Sequence, residues 1–418
     1  MKNAIKLLVL AGILTFVSGC ETVSNADGKF RYYGRHLPEP SDIRRKGLPS
    51  PSDATLRHYF GEELRWAKWQ RGKYAANGSN TPYVFKSELQ EFDIVTDNLA
   101  ETGLVSYLFY EDGKIKVDKK SPKNRFGNMF DDNSLLISNS IGKSLTSYVL
   151  GHAICKGYIK DVNEKIDWQL LKGTLYENQR LIDIINMRAG DQEHITQKNG
   201  LKKQNRTNGN VNNSTLLEIM SNELSGTKKS SRVFNYSGLP PNVIINYIMY
   251  KVGYGEKYQE FLNDIFQKKA GIKNEVWFVK EGNELGTSKD MDGLSKSSFY
   301  ASRYDYLRIA KAMLDDWNND TCVGSYLKTI YEEREYKGQE HLKSKSANSP
   351  NGSNSKYGGF FHTDYKGYWG VPNIMAMDGY GGQMIWINFD DKRIVVANAI
   401  YSTYDWKKIV ADTVKNGL

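Results

Sequence analysis

The chain has 418 residues, 39% of them hydrophobic and 25% charged, with 37 glycines and 10 prolines. This composition excludes a disordered, collagen-like or coiled-coil chain and leaves room for one large domain or two or three small ones. The formal net charge is +9. It is spread over short clusters, Arg44-Arg45-Lys46, Lys202-Lys203 and Lys228-Lys229, which read as solvated surface and not as the dense basic stripe of a nucleic-acid partner site.

Lys2 and Lys6 precede an apolar run from Leu7 to Val17, which ends in Val17-Ser18-Gly19-Cys20. The run has the length of a signal h-region and is too short to span a bilayer comfortably. An aliphatic residue, two small residues and a cysteine resemble the lipobox of bacterial lipoproteins. The resemblance implies a signal peptide over 1–19, lipid on Cys20, and a place in the bacterial cell envelope, anchored to a lipid bilayer and facing the periplasm. No later segment has eighteen apolar residues in a row, so no transmembrane helix is expected. With Cys20 lipidated, Cys155 and Cys322 remain, either as one bridge or as two buried thiols.

Residues 20–60 hold Pro38, Pro40, Pro49 and Pro51 among polar residues and read as an extended tether. The globular part is expected from 61 to 418. Glu63 to Gln70 suits a short helix. Gly103 to Tyr110 and Ile115 to Val117 flank Asp112-Gly113 and predict a hairpin. From Ser140 to Gly157, Leu145, Tyr148, Val149, His152 and Ala153 recur at steps of three and four and predict a buried helix. Leu181 to Met187 is a second apolar segment. Residues 198–213 and 343–356 are polar and biased, and read as exposed loops. Met384 to Phe389 and Arg393 to Tyr401 read as strands around Asp390-Asp391-Lys392, and Tyr404 to Asn416 as a closing helix. Strands, a helical middle and strands again imply an α+β fold. Its antiparallel sheet is built from both chain ends, flanked by helices and interrupted by a helical insertion.

There is no Gly-x-Ser-x-Gly, Walker loop, His-Glu-x-x-His or Cys-x-x-Cys. The six histidines have no ligand-like spacing, so no metal and no cofactor are expected. Ser-x-x-Lys is the pattern that remains. At the start of a helix it sets the two side chains one turn apart on one face, and a buried lysine with a lowered pKa can deprotonate the hydroxyl. Four copies occur: Ser140–Lys143, Ser225–Lys228, Ser325–Lys328 and Ser353–Lys356. Only Ser140 follows an apolar run and opens a long apolar helix that would bury its lysine.

Residues 138–166, beginning Ser138-Asn139-Ser140-Ile141-Gly142-Lys143, resemble the serine motif of the serine β-lactamase and penicillin-binding superfamily. They are most similar to its class C-like branch of esterases, D-aminopeptidases and 6-aminohexanoate-dimer hydrolases. LIDIINMRAGD (181–191), FNYSGLPPNVI (234–244) and MAMDGYGGQMIWIN (375–388) resemble later motifs of that branch in the same order. The resemblance implies Ser140 as nucleophile, Lys143 as its proton acceptor or orienter, and Tyr236 as proton shuttle. Each of the last two needs a depressed pKa. Which of them is the base stays open at this point. It implies an oxyanion hole from the backbone N–H groups of Ser140 and Tyr380. Asp378, Gly379, Gly381, Gly382 and Gln383 would line the substrate, although the glycines also suit an ordinary turn and Gln383 could equally cap a strand.

Two departures bear on substrate. Met377 stands where penicillin-directed members carry a cation, with Asp378 beside it, an acid that would repel a carboxylate. Tyr236-Ser237-Gly238 replaces Tyr-x-Asn. Both favour a small carboxylic ester or linear amide as substrate, cleaved through an acyl-enzyme. The alternatives are a β-lactamase or D-Ala-D-Ala-type peptidase, and a non-catalytic envelope binding protein.

Overall fold

The computed structural model describes residues 22–24, 31–33, 37, 40–45, 47, 49–195, 215–281, 294–343, 353–365 and 372–418. The expected signal peptide, Cys20 and the loop at 198–213 lie outside them. The principal elements in chain order are α1 (Asp53–Trp69), α2 (Asp93–Glu101), β1 (Leu104–Glu111), β2 (Lys114–Lys120), α3 (Ile141–Cys155), α4 (Leu239–Val252), β3 (Val276–Lys280), β4 (Ser295–Ala301), α5 (Arg303–Asn318) and α6 (Cys322–Glu332). They are followed by β5 (Asn354–Gly358), β6 (Phe361–Tyr365), β7 (Ile374–Gly379), β8 (Gln383–Asn388) and β9 (Arg393–Ala399). Two helical turns, Lys407–Asp412 and Thr413–Asn416, close the chain.

The large sheet has nine strands in the order Glu335–Tyr336, β5, β6, β7, β8, β9, β1, β2, Lys86–Ser87. Pairing is antiparallel throughout except at Lys86–Ser87, which runs parallel to β2. The two chain ends meet where β9 pairs with β1, Arg393 opposite Glu111 and Ile394 opposite Tyr110. The β1–β2 hairpin turns on Asp112 (φ 48°) and Gly113 (φ 81°), the two positive φ values that match the twist of the flanking strands.

Successive strand residues face opposite sides, and this divides the core in two. Met375, Met377, Ile385 and Ile387 face the side that also holds α3 and α4. Ala376, Met384, Trp386 and Val395 face the other side, against α2 and the closing helical turns. In α3 every residue from Ile141 to Ala153 is buried, the pattern of a helix inside a core and not on its surface. Each fully buried Leu, Ile or Val there contributes roughly 1.5–3 kcal/mol. A smaller sheet, ordered Ala75–Ala76, β3, β4, Leu136–Ile137, delivers the chain to the start of α3.

Two sequence readings change. The tether boundary at 60 is too late. Leu56, Tyr59 and Phe60 follow helical spacing, lie buried in the core, and belong to α1, which Ser52 caps by accepting from Thr55 N–H. Leu37 and Ile43 are also buried, and Thr22–Ser24 pairs with Arg31–Tyr33. The helix read at 63–70 is the last part of α1. The polar stretch 343–356 is not one loop either, since its last residues enter β5, where Asn354 and Tyr357 are buried.

A disulfide joins Cys155 to Cys322, linking the end of α3 to the start of α6. It crosses 167 residues of sequence, so it removes much of the unfolded chain's freedom. Cys322→Ala is expected to lower unfolding free energy by about 2–4 kcal/mol. Urea titration with and without reductant checks this, because reductant should shift the wild-type midpoint and leave the variant's unchanged.

Candidate active site

Ser138 ends the edge of the small sheet. Its N–H donates to Phe299 O at 2.7 Å, and its Oγ accepts from Phe299 N–H at 2.7 Å. Asn139 then takes φ 48°, a left-handed conformation that Asn tolerates better than most residues. This sharp turn leaves Ser140 at the N-terminus of α3, partly exposed, where the helix dipole presents its positive end.

One turn on, Lys143 Nζ donates to Ser140 Oγ at 2.7 Å. Lys143 is 8% exposed. Burial disfavours its charged form and pulls the ammonium from 10.5 to about 8. Tyr236 lies beside the pair: Ser140 is near enough to its phenol to draw the pKa down, and Lys143 Nζ lies 5.0 Å from the centre of its ring. Tyr236, distant in sequence, thus comes beside the Ser140–Lys143 pair. The expected depression of both pKa values holds for Lys143 only. Burial, aided by the Asp378 carboxylate, pushes the Tyr236 phenol up, and Ser140 offsets only part of that.

The 181–191 segment supports the tyrosine from behind. Asn235, next to Tyr236, donates from Nδ2 to Asp191 Oδ1 at 3.1 Å and to Ile195 O at 2.7 Å, and its N–H reaches Met187 O. Gly238 leads into α4 immediately after. Where the Tyr-x-Asn pattern has its amide, this chain has Gly238, and the intervening Ser237 Oγ is buried without a hydrogen-bond partner among the described residues.

The end of β7 reaches the same place. A Cβ on Gly379 would stand 2.5 Å from Ser138 O, so the strand closes on the turn before Ser140 only as glycine. Asn139 Nδ2 donates to Tyr380 O at 3.0 Å, tying the two segments together. Tyr380 also donates its hydroxyl to Leu37 O. Gly381 (φ 80°) and Gly382 (φ 93°) supply the turn into β8.

Asp378 and Gln383 do not line the site as expected. With Met377 facing α3, the period of two turns Asp378 to the opposite face, where its carboxylate accepts from Tyr365 OH at 2.7 Å and Trp386 Nε1 at 3.0 Å. Held by those two donors, it is not set to contact a substrate directly, although its charge still acts on the Tyr236 phenol. Gln383 is buried between strands. It donates to Ala399 O at 2.6 Å and accepts from Asn398 Nδ2 at 3.2 Å, which is the strand-capping role.

Sequence reasoning missed His362 and Lys337. His362 stands beside Tyr236, its ring tilted 33° at 5.8 Å between centroids, and Lys337 Nζ lies 3.1 Å from its Nδ1. Neither falls in a recognisable spacing; only the pairing of β5, β6 and β7 brings them to Tyr236. Among the described residues, no cluster of three or more His, Cys, Asp or Glu side chains could hold a metal ion, and no helix is long and apolar enough to cross a membrane.

No protein-family model and no curated protein matches the chain by sequence. Solved structures do match. A candidate 6-aminohexanoate-dimer hydrolase from Bacillus anthracis superposes with a TM-score of 0.60 at 15% identity, covering 88% of this chain and 98% of that one. A class C β-lactamase solved in complex with cefoxitin gives 0.51 at 11%, covering 78% and 97%. The chain has the α+β fold of these two solved structures. A D-amino acid amidase from Ochrobactrum anthropi is also similar, with a TM-score of 0.51 at 13% identity over 75% of this chain and 92% of that one. At these identities the likeness is one of fold.

Proposed function

We propose that the chain is a serine hydrolase that cleaves a carboxylic ester or linear amide through an acyl-enzyme on Ser140. The observation that carries this reading is the 2.7 Å contact of a buried lysine of lowered pKa with a serine hydroxyl at a helix N-terminus. Neutral Lys143 takes the Ser140 proton as Oγ attacks the carbonyl carbon. The oxyanion is met by the N–H groups of Ser140 and Tyr380, with the α3 dipole behind them. Tyr236, whose pKa is raised, keeps its proton until it passes it to the leaving group, and regains one from Lys143. Water then attacks the ester carbon of the acyl-enzyme and restores Ser140. Three solved structures of this fold carry names of hydrolases, which supports the reaction class.

Met377 is fully buried and apolar, so the late strand offers no cation to a drug carboxylate. A panel of p-nitrophenyl esters, linear amides and a chromogenic cephalosporin is expected to give ester or amide turnover at least about tenfold above cephalosporin turnover. Rapid cephalosporin hydrolysis would reverse that order and favour the β-lactamase reading. We also propose that Cys20 carries lipid and holds the enzyme on an envelope membrane facing the periplasm; the Cys155–Cys322 bridge suits such an oxidising compartment. Membrane partition should be lost in Cys20→Ser, and equal partition of both proteins would refute anchoring.

A further inference from the structure

An open cavity of about 460 Å³ lies at the far end of α3 from Ser140. His152 lines it and sits on α3 about 18 Å along the helix from Ser140. The other walls come from Lys156, the helical turn Asn263–Lys269, the end of α5 and the start of α6. The hydrolytic reading uses none of these residues.

The cavity carries more positive than negative charge. Lys156 and Lys268 both donate to the Asp264 carboxylate, Lys268 at 2.8 Å. Lys269 Nζ stands 2.8 Å from Asp316 Oδ1. Asp316 also accepts from Thr321 Oγ1 and from Tyr148 OH, each at 2.7 Å. Three ammonium groups thus face two carboxylates, and one positive charge is left unbalanced. Each ammonium has three N–H groups and uses one of them in these bonds.

The start of α6 adds donors. This helix has eleven residues, and Thr321 caps it by accepting from Gly324 N–H at 3.0 Å. Cys322 and Val323 precede Gly324 in the first turn, so their N–H groups have no acceptor within the helix, and the positive end of its dipole meets the cavity there. His152 is 9% exposed, and its enclosed Nε2 has no hydrogen-bond partner among the described residues. Burial pulls its pKa from 6.5 to about 4. Asp316 and Asp264 oppose that shift, while Lys269 and Lys156 add to it, so a neutral imidazole lies within the field of the cavity's charges.

We propose that this cavity binds a small organic monocarboxylate. Its single charge matches the unbalanced ammonium. Its two oxygens accept from spare lysine N–H groups and from the first turn of α6, and its apolar body lies along Val323. A carboxylic acid is also the class of product that ester or amide hydrolysis releases. The site nevertheless stands on its own residues and does not depend on the roles of Ser140, Lys143 and Tyr236.

The full chain is titrated with sodium butyrate at fixed ionic strength, followed by calorimetry and by the NMR ring resonances of His152. One site with a Kd of about 1 mM is expected, and the His152 resonances should move with the same midpoint. Lys268→Gln removes the unbalanced charge and should weaken binding about fivefold, whereas Asp264→Asn adds to it and should tighten binding by a similar factor. The Lys268 side chain is 70% exposed, so its replacement leaves the fold intact. Butyrate that fails to bind, binds without moving the His152 resonances, or binds both variants and wild type equally would overturn the site. Inorganic phosphate binding as tightly as butyrate would overturn its assignment to carboxylates. Ester turnover tests the hydrolase reading separately, since neither variant touches Ser140.

Discussion

Ser140→Ala is expected to lower kcat/KM on any ester the enzyme turns over by about 10⁴-fold or more, with KM little changed. The hydroxyl is bonded to Lys143 and lies near the Tyr236 phenol. Its loss removes the atom that forms the acyl bond, and the remaining N–H groups and helix dipole can do no more than polarise a carbonyl. The variant should fold normally, since the removed oxygen is partly exposed and no strand or core contact depends on it. Steady-state kinetics beside a thermal melt separates the two effects. A variant with more than about 1% of wild-type activity would place the nucleophile elsewhere.

Lys143→Met is expected to act in opposite directions on activity and stability. Removing the base should cost roughly 10²–10⁴-fold in kcat. The fold should gain. Lys143 has a folded-state pKa of about 8 against an ordinary value of 10.5, so the unfolded chain binds the extra proton between these limits. Wild-type stability therefore rises with pH from about 8 to about 10.5, and below about 8 the buried ammonium costs on the order of 3 kcal/mol. Methionine fills similar space without charge, and it forgoes about 1 kcal/mol from the bond to Ser140. A net gain of about 2 kcal/mol at pH 7 should appear as a melting temperature several degrees higher. The same pKa sets the rate profile. Wild-type kcat/KM should rise through about pH 8 as Lys143 loses its proton, then level off. A melting temperature lowered in the methionine variant, or a rate flat from pH 6 to 9, would contradict Lys143 as the base.

Much of the fold is legible in local pattern. Asp112-Gly113 specifies its hairpin because both residues accept positive φ. The α3 region announces itself by unbroken apolar spacing, and that burial is what lowers the Lys143 pKa. Motif order nominates Ser140, Lys143 and Tyr236 as a group, and the structure sets the three near one another. What local pattern does not carry is which face a strand residue takes. Asp378 and Gln383 sit in the motif yet turn into the strand interior, a fact set by pairing with β8 and β9. The state of Cys155 and Cys322 depends on helices 167 residues apart in sequence coming together. His362 and Lys337 reach Tyr236 only across strand pairs, β5 against β6 and β6 against β7. The early core residues Leu56, Tyr59 and Phe60 were hidden by nearby prolines, which suggested an extended tether where a capped helix begins.

The central claim is that Ser140 forms the acyl-enzyme. Its most direct test is to trap that species with a slowly released acylating ester, digest the protein, and map the added mass by tandem mass spectrometry. The account predicts one acyl group, on Ser140, absent in Ser140→Ala and slow to form in Lys143→Met. An acyl group on any other residue, or undiminished labelling in Ser140→Ala, would contradict it.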